Sequence, residues 1–523
     1  MGVEETASAR ARRARMLAEH GGIDGALAAG ALPPVVDITL AEGIVLGLLR
    51  QGVRRYVVVL GHGSTELGEV LRIYEAEGLV RTFAVRSEVE ASHAATALRW
   101  ITGLKAAVVT SIGPGAMHAF AGSLAAASNG LGVWYLFGDE TTHDEGPNMQ
   151  QVPRHEQHQF HRMCSTLGGA YSLHTPEALG TALRRGLRHV DDPHFGGPFF
   201  LLMPMNTQPA VLGGFHLDQL PAGPPPAMGA AAGDDVYDEA AAALHYARTT
   251  PLVGDVTATL RQLCTRLRQR GAASQAGESA WMRSCAARRA EWEAFKAERY
   301  EHPTLADEVW GRDVLTQPAA IKVATDWARE TGAVSLFDAG DVQANGFQVV
   351  EDEREGQTYS ETGASYMGFA VSGLLATALA DEPFYGLALT GDGSFMMNPQ
   401  VLIDGVEHGA TGCILLLDNR RMAAISSLQR AQYGADHATH DSVAVDYVKL
   451  ASSFDGVLAL PGGHSPDELR AALDLARAHQ GLSLIHVPVY FGSDPLGGLG
   501  AYGRWNVGSW VDEVQALRGK IGL

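Results

Sequence analysis

The sequence lacks most of the features that would tie it to a secreted, membrane or nucleic-acid-binding protein. Only four cysteines occur in 523 residues. They are Cys164, Cys264, Cys285 and Cys413, widely separated and never spaced as CxxC. A disulfide framework or a cysteine-based zinc site is therefore not expected, and a reducing, cytoplasmic setting fits. No uninterrupted apolar stretch reaches the roughly 18 residues needed to cross a bilayer. The opening segment MGVEETASARARRARMLAEHGG has basic residues but no apolar core, so it reads as a surface helical arm and not as a signal peptide. Glu4 and Glu5 fit an organelle-targeting peptide equally poorly. Positive charge is scarce, with 40 Lys and Arg against 59 Asp and Glu and a net charge of −19. Nucleic acid and anionic membrane surfaces are read by basic patches, so neither is an expected partner.

What remains is an ordinary globular composition, 46% apolar and 19% charged, in a chain long enough for two or three domains. From about 36 to 212, apolar runs alternate with helical segments, the pattern of a parallel α/β unit. Arg55–Leu60 runs into Gly61-His62-Gly63, Leu104–Ser111 into Gly113-Pro114-Gly115, and Gly132–Gly138 ends in a glycine. Ligands of open α/β sheets bind at such strand ends. The stretch 221–234 (PAGPPPAMGAAAGD) has linker composition, and 237–300 reads as helices interrupted by a possible strand and turn at Pro251–Asp255. A second α/β unit begins near Pro318, with strands at 333–340, 384–393, 412–419 and 482–489. The predicted division is a 1–35 helical arm, a 36–212 α/β unit, a 213–312 linker and helical segment, and a 313–523 α/β unit with its tail.

The strongest local signal is Gly391-Asp392-Gly393-Ser394, with Asn419 ending the next strand 27 residues later. That interval accommodates one helix and one returning parallel strand, which brings the two side chains to neighbouring strand ends. A carboxylate, an amide oxygen and a main-chain carbonyl are hard ligands suited to Mg2+. The metal could bridge a diphosphate lying on the glycine turn and helix start. A bare Gly-Asp-Gly marks many turns; the spaced Asn gives it meaning. His155, His158 and His161 invite a metal reading, but their spacing drifts around a helix, and a hydrated face is the better expectation.

The GDGS…LLLDN pair resembles the signature of thiamine-diphosphate (ThDP) enzymes of the acetolactate synthase and pyruvate decarboxylase type. The stretch from Arg86 to His118 resembles the family's helix that carries an activating glutamate, with Gly113-Pro114-Gly115 matching its glycine turn. Counting back from Thr102-Gly103 places that glutamate at Glu88, with Glu90 the rival and His93 on a position where the family often has His. In this resemblance the carboxylate supports the aminopyrimidine tautomer that deprotonates the thiazolium carbon. Tyr366-Met367-Gly368-Phe369, 25 residues before Asp392 counted from Met367, resembles the segment whose apolar side chain props the cofactor. Taken on periodicity alone, Met367 would simply be core. Arg421 stands where many members have Gly, whose carbonyl completes the metal shell.

Five further segments resemble the trihydroxycyclohexane-1,2-dione hydrolase branch of that superfamily. They are LGHGS (60–64), EGPNMQQV (145–152), YSETGASYMGF (359–369), AISSLQ (424–429) and GAYGRWNVG (500–508). The resemblance implies two parallel-sheet ThDP-binding domains, of pyrimidine and diphosphate type. They are joined by a reduced, mainly helical remnant of the usual middle domain, so FAD is not expected. The implied catalytic group is Glu88, His62, His118 and Gln151, with Gln150 as the alternative glutamine. The implied cofactor contacts are Glu88, Gly113, Gly115, Met367, Gly391, Gly393 and Ser394, and the metal ligands Asp392, Asn419 and Arg421. The implied reaction cleaves a C–C bond beside a carbonyl in a small ketone, by hydrolysis of a cyclic 1,2-dione. Alternatives are a 2-oxo-acid decarboxylase or acetolactate-synthase-like carboligase, and a non-catalytic regulatory relative. The family builds its site between subunits, so a homodimer or homotetramer is implied.

Overall fold

The computed structural model describes residues 3–143, 151, 158–192, 196–223, 256–271 and 279–490. Two six-stranded, all-parallel sheets form its frame. The first comprises β2 (Arg55–Val59), β3 (Arg81–Ala84), β4 (Ala106–Thr110), β5 (Trp134–Asp139), β6 (Gly169–Ser172) and β7 (Phe199–Pro204), in the order β3-β2-β4-β5-β7-β6. The second comprises β11 (Val334–Phe337), β12 (Thr358–Ser360), β13 (Gly386–Gly391), β14 (Gly412–Asp418), β15 (Leu458–Pro461) and β16 (Leu482–Pro488), in the order β12-β11-β13-β14-β16-β15. Counted within each sheet, both orders are 2-1-3-4-6-5. Each sheet therefore has a switch point between its first and third strands, where a crevice opens beyond the carboxyl ends. In the first unit that point lies between the ends of β2 and β4, and in the second between the ends of β11 and β13.

The central strands are predominantly apolar because both faces are covered. Along β2, Val57 faces one core while Tyr56 and Val58 face another. Along β13, Ala388 faces the inner core while Leu387 and Leu389 face the outer one. The inner core is shared by the two units. There Ala91, Ala94, Ala95 and Leu98 of the helix Glu88–Thr102 belong to the same cluster as Phe369, Ala370 and Leu374. Helix starts carry side-chain caps: Ser87, Thr316 and Ser465 each accept a bond from the backbone N–H three residues on.

Three features differ from the sequence reading. The N-terminal helix Val3–Glu19 is docked, not a free arm, with Arg10, Ala14 and Leu17 buried. Its arginines close over the buried carboxylate of Glu42: Arg13 binds it with two hydrogen bonds of 2.7 and 2.6 Å, and Tyr74 Oη adds a third at 2.9 Å. The boundary drawn at 212 falls inside β8 (Val211–His216), which pairs antiparallel with β1 (Val35–Thr39), so the first unit continues through buried Leu217 and Leu220. A hairpin of β9 (Thr304–Asp307) and β10 (Arg312–Leu315) precedes the second unit. Of the middle segment, the helices Val256–Gln269 and Ala280–Glu301 are described, and the first buries none of its residues. The possible strand at Pro251–Asp255 lies outside the described residues. Among the described residues no helix is long and apolar enough to cross a membrane.

Removing one member of a buried ion pair strands its partners in a poorly solvated site. Glu42→Ala is therefore expected to destabilise the first unit by about 3–5 kcal/mol. The check is a urea titration followed by far-UV circular dichroism; a midpoint within error of wild type would mean the cage contributes nothing.

Candidate active site

The first unit gathers its candidate residues at the carboxyl ends of β2, β3 and β4. Ser87 caps the helix that begins with Glu88, accepting a bond from Glu90 N at 3.4 Å. Glu88 Oε2 lies 3.3 Å from Nδ1 of His118, an exposed residue on the helix Pro114–Gly122. The other carboxylate oxygen packs on the glycine turn, 3.0 Å from where a side chain at Gly115 would begin. Gly113 has φ of 61°, and the backbone carbonyl of Gln151 comes within 2.4 Å of the position a Cβ would take there. Any other residue would push Gln151 away, so the turn's glycine and that glutamine belong to one packing unit. His62 is exposed in the single turn His62–Ser64 that follows β2. Gln150 and the rest of EGPNMQQV lie outside the described residues.

Glu88 and Glu90 do different things because residues two apart on a helix point to nearly opposite sides. Glu90 is wholly buried against the second unit. Burial pushes its carboxyl well above the usual range, and the neighbouring carboxylate of Asp404 pushes it further. Asp404 itself is buried and paired with Arg86, whose backbone N–H also reaches it at 3.0 Å. One turn on, His93 packs edge-on to Tyr366 and Phe369 with centroids 4.7 and 5.4 Å away. Burial lowers its pKa to about 3. His93 is thus a neutral core residue at the junction of the two units.

The second unit's candidates sit at the ends of β11, β13 and β14. Gly391 caps a single helical turn, Asp392–Phe395. Asp392 is pushed up to about 8 by burial first, then by the carboxylates of Asp418, Asp341 and Asp441. Such a crowd of acid groups has the chemistry of a cation site, in which a divalent ion would favour the ionised form. Asn419 Nδ2 donates to Asp341 Oδ2 at 2.9 Å, and its Oδ1 accepts from Arg421 N at 3.2 Å. Arg421 also pairs through its backbone with His440. Ser394 Oγ lies 3.5 Å from the Ala339 carbonyl. Met367 brings its methyl to within 3.5 Å of the position a side chain at Gly393 would occupy. It is held there by Gly368, whose φ is 88° and whose N–H donates to Asp338 at 2.7 Å. A cavity of about 400 Å³ opens beside Asp392 and Gly393, and the described residues that line it belong to the second unit.

Asp338 and Asp341 went unassigned in the sequence reading, although both stand in the FDAGD end of a recognised strand. Asp338 accepts from Gly368 N and, at 2.8 Å, from Thr390 Oγ1, so it ties the Met367 turn to β13. Burial raises it to about 6. An aspartate at a buried strand end beside a switch point was the available signal. Of the three histidines expected on a helix face, His155 lies outside the described residues, His158 precedes the helix Gln159–Cys164 with φ of 66°, and His161 lies within it. The His158 ring meets His174, Nδ1 to Nε2 at 3.0 Å. Among the described residues no three His, Cys, Asp or Glu side chains are grouped to hold a metal by themselves. GAYGRWNVG lies outside the described residues.

Two parallel units of one topology, each with its polar groups at a switch point, define a double-domain nucleotide- or diphosphate-binding α/β protein. Residues 38–166 match the family described as "Thiamine pyrophosphate enzyme, N-terminal TPP binding domain", and residues 338–487 match "Thiamine pyrophosphate enzyme, C-terminal TPP binding domain". The chain belongs to the thiamine pyrophosphate enzymes. It is 29% identical over 181 residues to a 3D-(3,5/4)-trihydroxycyclohexane-1,2-dione hydrolase of Bacillus velezensis, covering 34% of this chain and 28% of that one. A protein of the same name from Listeria monocytogenes is 26% identical over 295 residues, covering 50% and 43%. The acetolactate synthase isozyme 2 large subunit of Escherichia coli is 28% identical over 214 residues, covering 40% and 36%. The chain thus spans less than half the length of these curated relatives.

Glu90 offers a way to separate the two glutamates. A carboxyl whose pKa is raised by folding contributes stability fully below its unfolded pKa and loses it as pH rises through the folded value. Glu90→Gln is expected to keep turnover and to gain thermal stability relative to wild type at pH 8 but not at pH 4. Loss of turnover with unchanged melting would instead make Glu90 the activating residue.

Proposed function

We propose that the chain is a ThDP- and Mg2+-dependent enzyme that cleaves a C–C bond next to a carbonyl. Its proposed reaction is hydrolysis of a polyhydroxylated cyclic 1,2-dione or related ketone. The observation that carries this reading is the division of two matched half-sites between sheets of one topology. A carboxylate, Glu88, stands at the glycine turn of the first, and Asp392 with Asn419 stands at the strand ends of the second. The names of the Bacillus and Listeria relatives favour hydrolysis.

ThDP, when bound, supplies a nucleophilic carbon and an electron sink at its thiazolium ring. Glu88 would hold a proton at the pyrimidine ring, and His118, 3.3 Å from it, would take or return that proton. His62 and Gln151 belong to the same end of the first sheet and would orient the substrate carbonyl, with the His62 imidazole suited to proton transfer near neutral pH. Asp392, the Asn419 amide oxygen and the Arg421 carbonyl would hold Mg2+. Gly391, Gly393 and Ser394 would seat the diphosphate, and Met367 would prop the rings. Because Glu88 faces its own glycine turn while Glu90 and His93 face the second unit of the same chain, we place the working site between subunits of a homodimer or homotetramer. A second reading, a 2-oxo-acid decarboxylase or acetolactate-synthase-like carboligase, is favoured by similarity to the Escherichia coli synthase subunit.

Incubation of the reconstituted protein with a cyclic 1,2-dione and with pyruvate separates these readings. Ring opening without CO2 release from pyruvate is expected; the reverse pattern establishes the second. Glu88→Gln should lower kcat by about 100-fold or more while leaving cofactor binding in place, and an unaffected kcat removes Glu88 from the mechanism.

Metal binding must displace the Asp392 proton. The affinity for Mg2+ at saturating ThDP should therefore weaken as pH falls below about 8, approaching about tenfold per unit. Titrations at pH 6, 7 and 8 check this, and Asp392→Asn should abolish both tight binding and its pH dependence.

A further inference from the structure

The cavity over the second sheet contains one arginine whose backbone position is costly and whose guanidinium makes no hydrogen bond or ion pair among the described residues. Arg420 lies between Asn419 and Arg421, and its backbone has φ of 55°, a left-handed conformation that side chains other than glycine's adopt at the expense of stability. Its neighbours impose that conformation. Arg420 N donates to Asp418 Oδ1 at 3.0 Å, and its carbonyl accepts from Asp441 N at 2.9 Å. Met422 N donates to the Thr439 carbonyl at 2.8 Å, so segment 439–441 is laced onto segment 420–422. The conformation delivers the Arg420 side chain to the cavity wall beside Asp392 and Gly393.

There the guanidinium forms no hydrogen bond or ion pair among the described residues, and its Nε is buried. By contrast, buried Arg10 is paired with Glu42 and Glu66, and buried Arg55 with Asp381. Of the other charged groups of the cavity wall, Asp418 Oδ2 is engaged by His486 Nε2 at 2.9 Å and His440 by Asp436 at 2.7 Å, while Asp392 and Asp441 are the carboxylates proposed to face the cation. A half-buried, unpaired guanidinium on a strained residue is a receptor for an oxyanion, because a planar fork of donors matches phosphate or carboxylate oxygens.

We propose that Arg420 is a direct ligand of the cofactor's diphosphate, neutralising charge that one divalent cation beside Asp392 leaves over. The proposal rests on the reading of Asp392 and Asn419 as the metal side of this site. The competing source of the same chemistry is an oxyanion on the substrate. Binding measured without substrate separates them.

The experiment compares wild type with Arg420→Ala and Arg420→Gly in substrate-free thermal-shift and fluorescence titrations, using Mg2+ with ThDP, with thiamine monophosphate and with inorganic pyrophosphate. Both variants are expected to bind ThDP and pyrophosphate roughly 10- to 100-fold more weakly, the loss of a charge-assisted hydrogen-bonded contact. The loss should be smaller for thiamine monophosphate. Arg420→Gly should also melt no lower than wild type without ligand, because glycine takes the left-handed conformation without strain. Wild-type affinity for ThDP in both variants, with only the substrate KM raised, would overturn the proposal in favour of a substrate contact. Absence of any ThDP-dependent shift in wild type would overturn the cofactor reading together with it.

Discussion

The carboxylate of Asp392 is buried within reach of Asp418, Asp341 and Asp441, and the second half of the molecule is arranged around that crowding of like charge. Alone, such a group drives one of its members to hold a proton near neutral pH. Two of the three neighbours are restrained by separate devices: Asp341 by Gln317 and the Asn419 amide, Asp418 by His486 and the Arg420 N–H. Those two carboxylates are therefore held in place before any ligand arrives. Its repulsion is relieved by whichever cation enters, and that makes the strand ends of β13 and β14 the natural seat of the proposed Mg2+.

Duplicate topology explains how two unlike chemistries come to share one frame. Both sheets present a switch point at the carboxyl ends of their first and third strands, so both offer a crevice in the same relative place. The first is furnished with a carboxylate, glycines and imidazoles, and the second with a dense acid cluster and an apolar prop. The helix Glu88–Thr102 connects them: one side carries Glu88 to the glycine turn, while the other buries Glu90 and His93 beneath the turn that bears Met367. Glu361 fastens the same turn from its other end, accepting from Tyr366 N at 2.8 Å and from Asn129 of the first unit at 2.9 Å. The YSETGASYMGF segment, which carries the proposed prop Met367, is thus an inter-unit clasp.

Much of this was legible from the residues. Apolar runs such as YVVVL and AAVVTS ended in glycine turns, and the 27-residue interval from Asp392 to Asn419 admits few arrangements besides adjacent parallel strand ends. What stayed hidden involves groups whose partners are far away in the chain. Asp338 looked like an unremarkable end to FDAG until Gly368, 30 residues on, was found bonded to it. Glu42 sits inside a helix of mostly apolar residues, and nothing local announces that Arg10 and Arg13 will close over it and turn an expected arm into a docked helix. Arg420 was passed over because left-handed backbone is a property of the loop closed by Thr439–Asp441, not of the Arg itself.

Local pattern alone therefore settled the alternation of strands and helices, the two-unit plan and the family to which the motifs belong. The first two follow from side-chain periodicity and turn chemistry, which are encoded within a few neighbouring residues; the family follows from the resemblance of the motifs. Tertiary structure decided which of Glu88 and Glu90 meets the glycine turn, which aspartates crowd Asp392, and which arginine is left facing an empty wall. Those are matters of direction and of charge brought together across tens to hundreds of residues. Burial makes each of them consequential, because in a poorly solvated site a carboxylate or guanidinium must be answered by a specific partner and not by water.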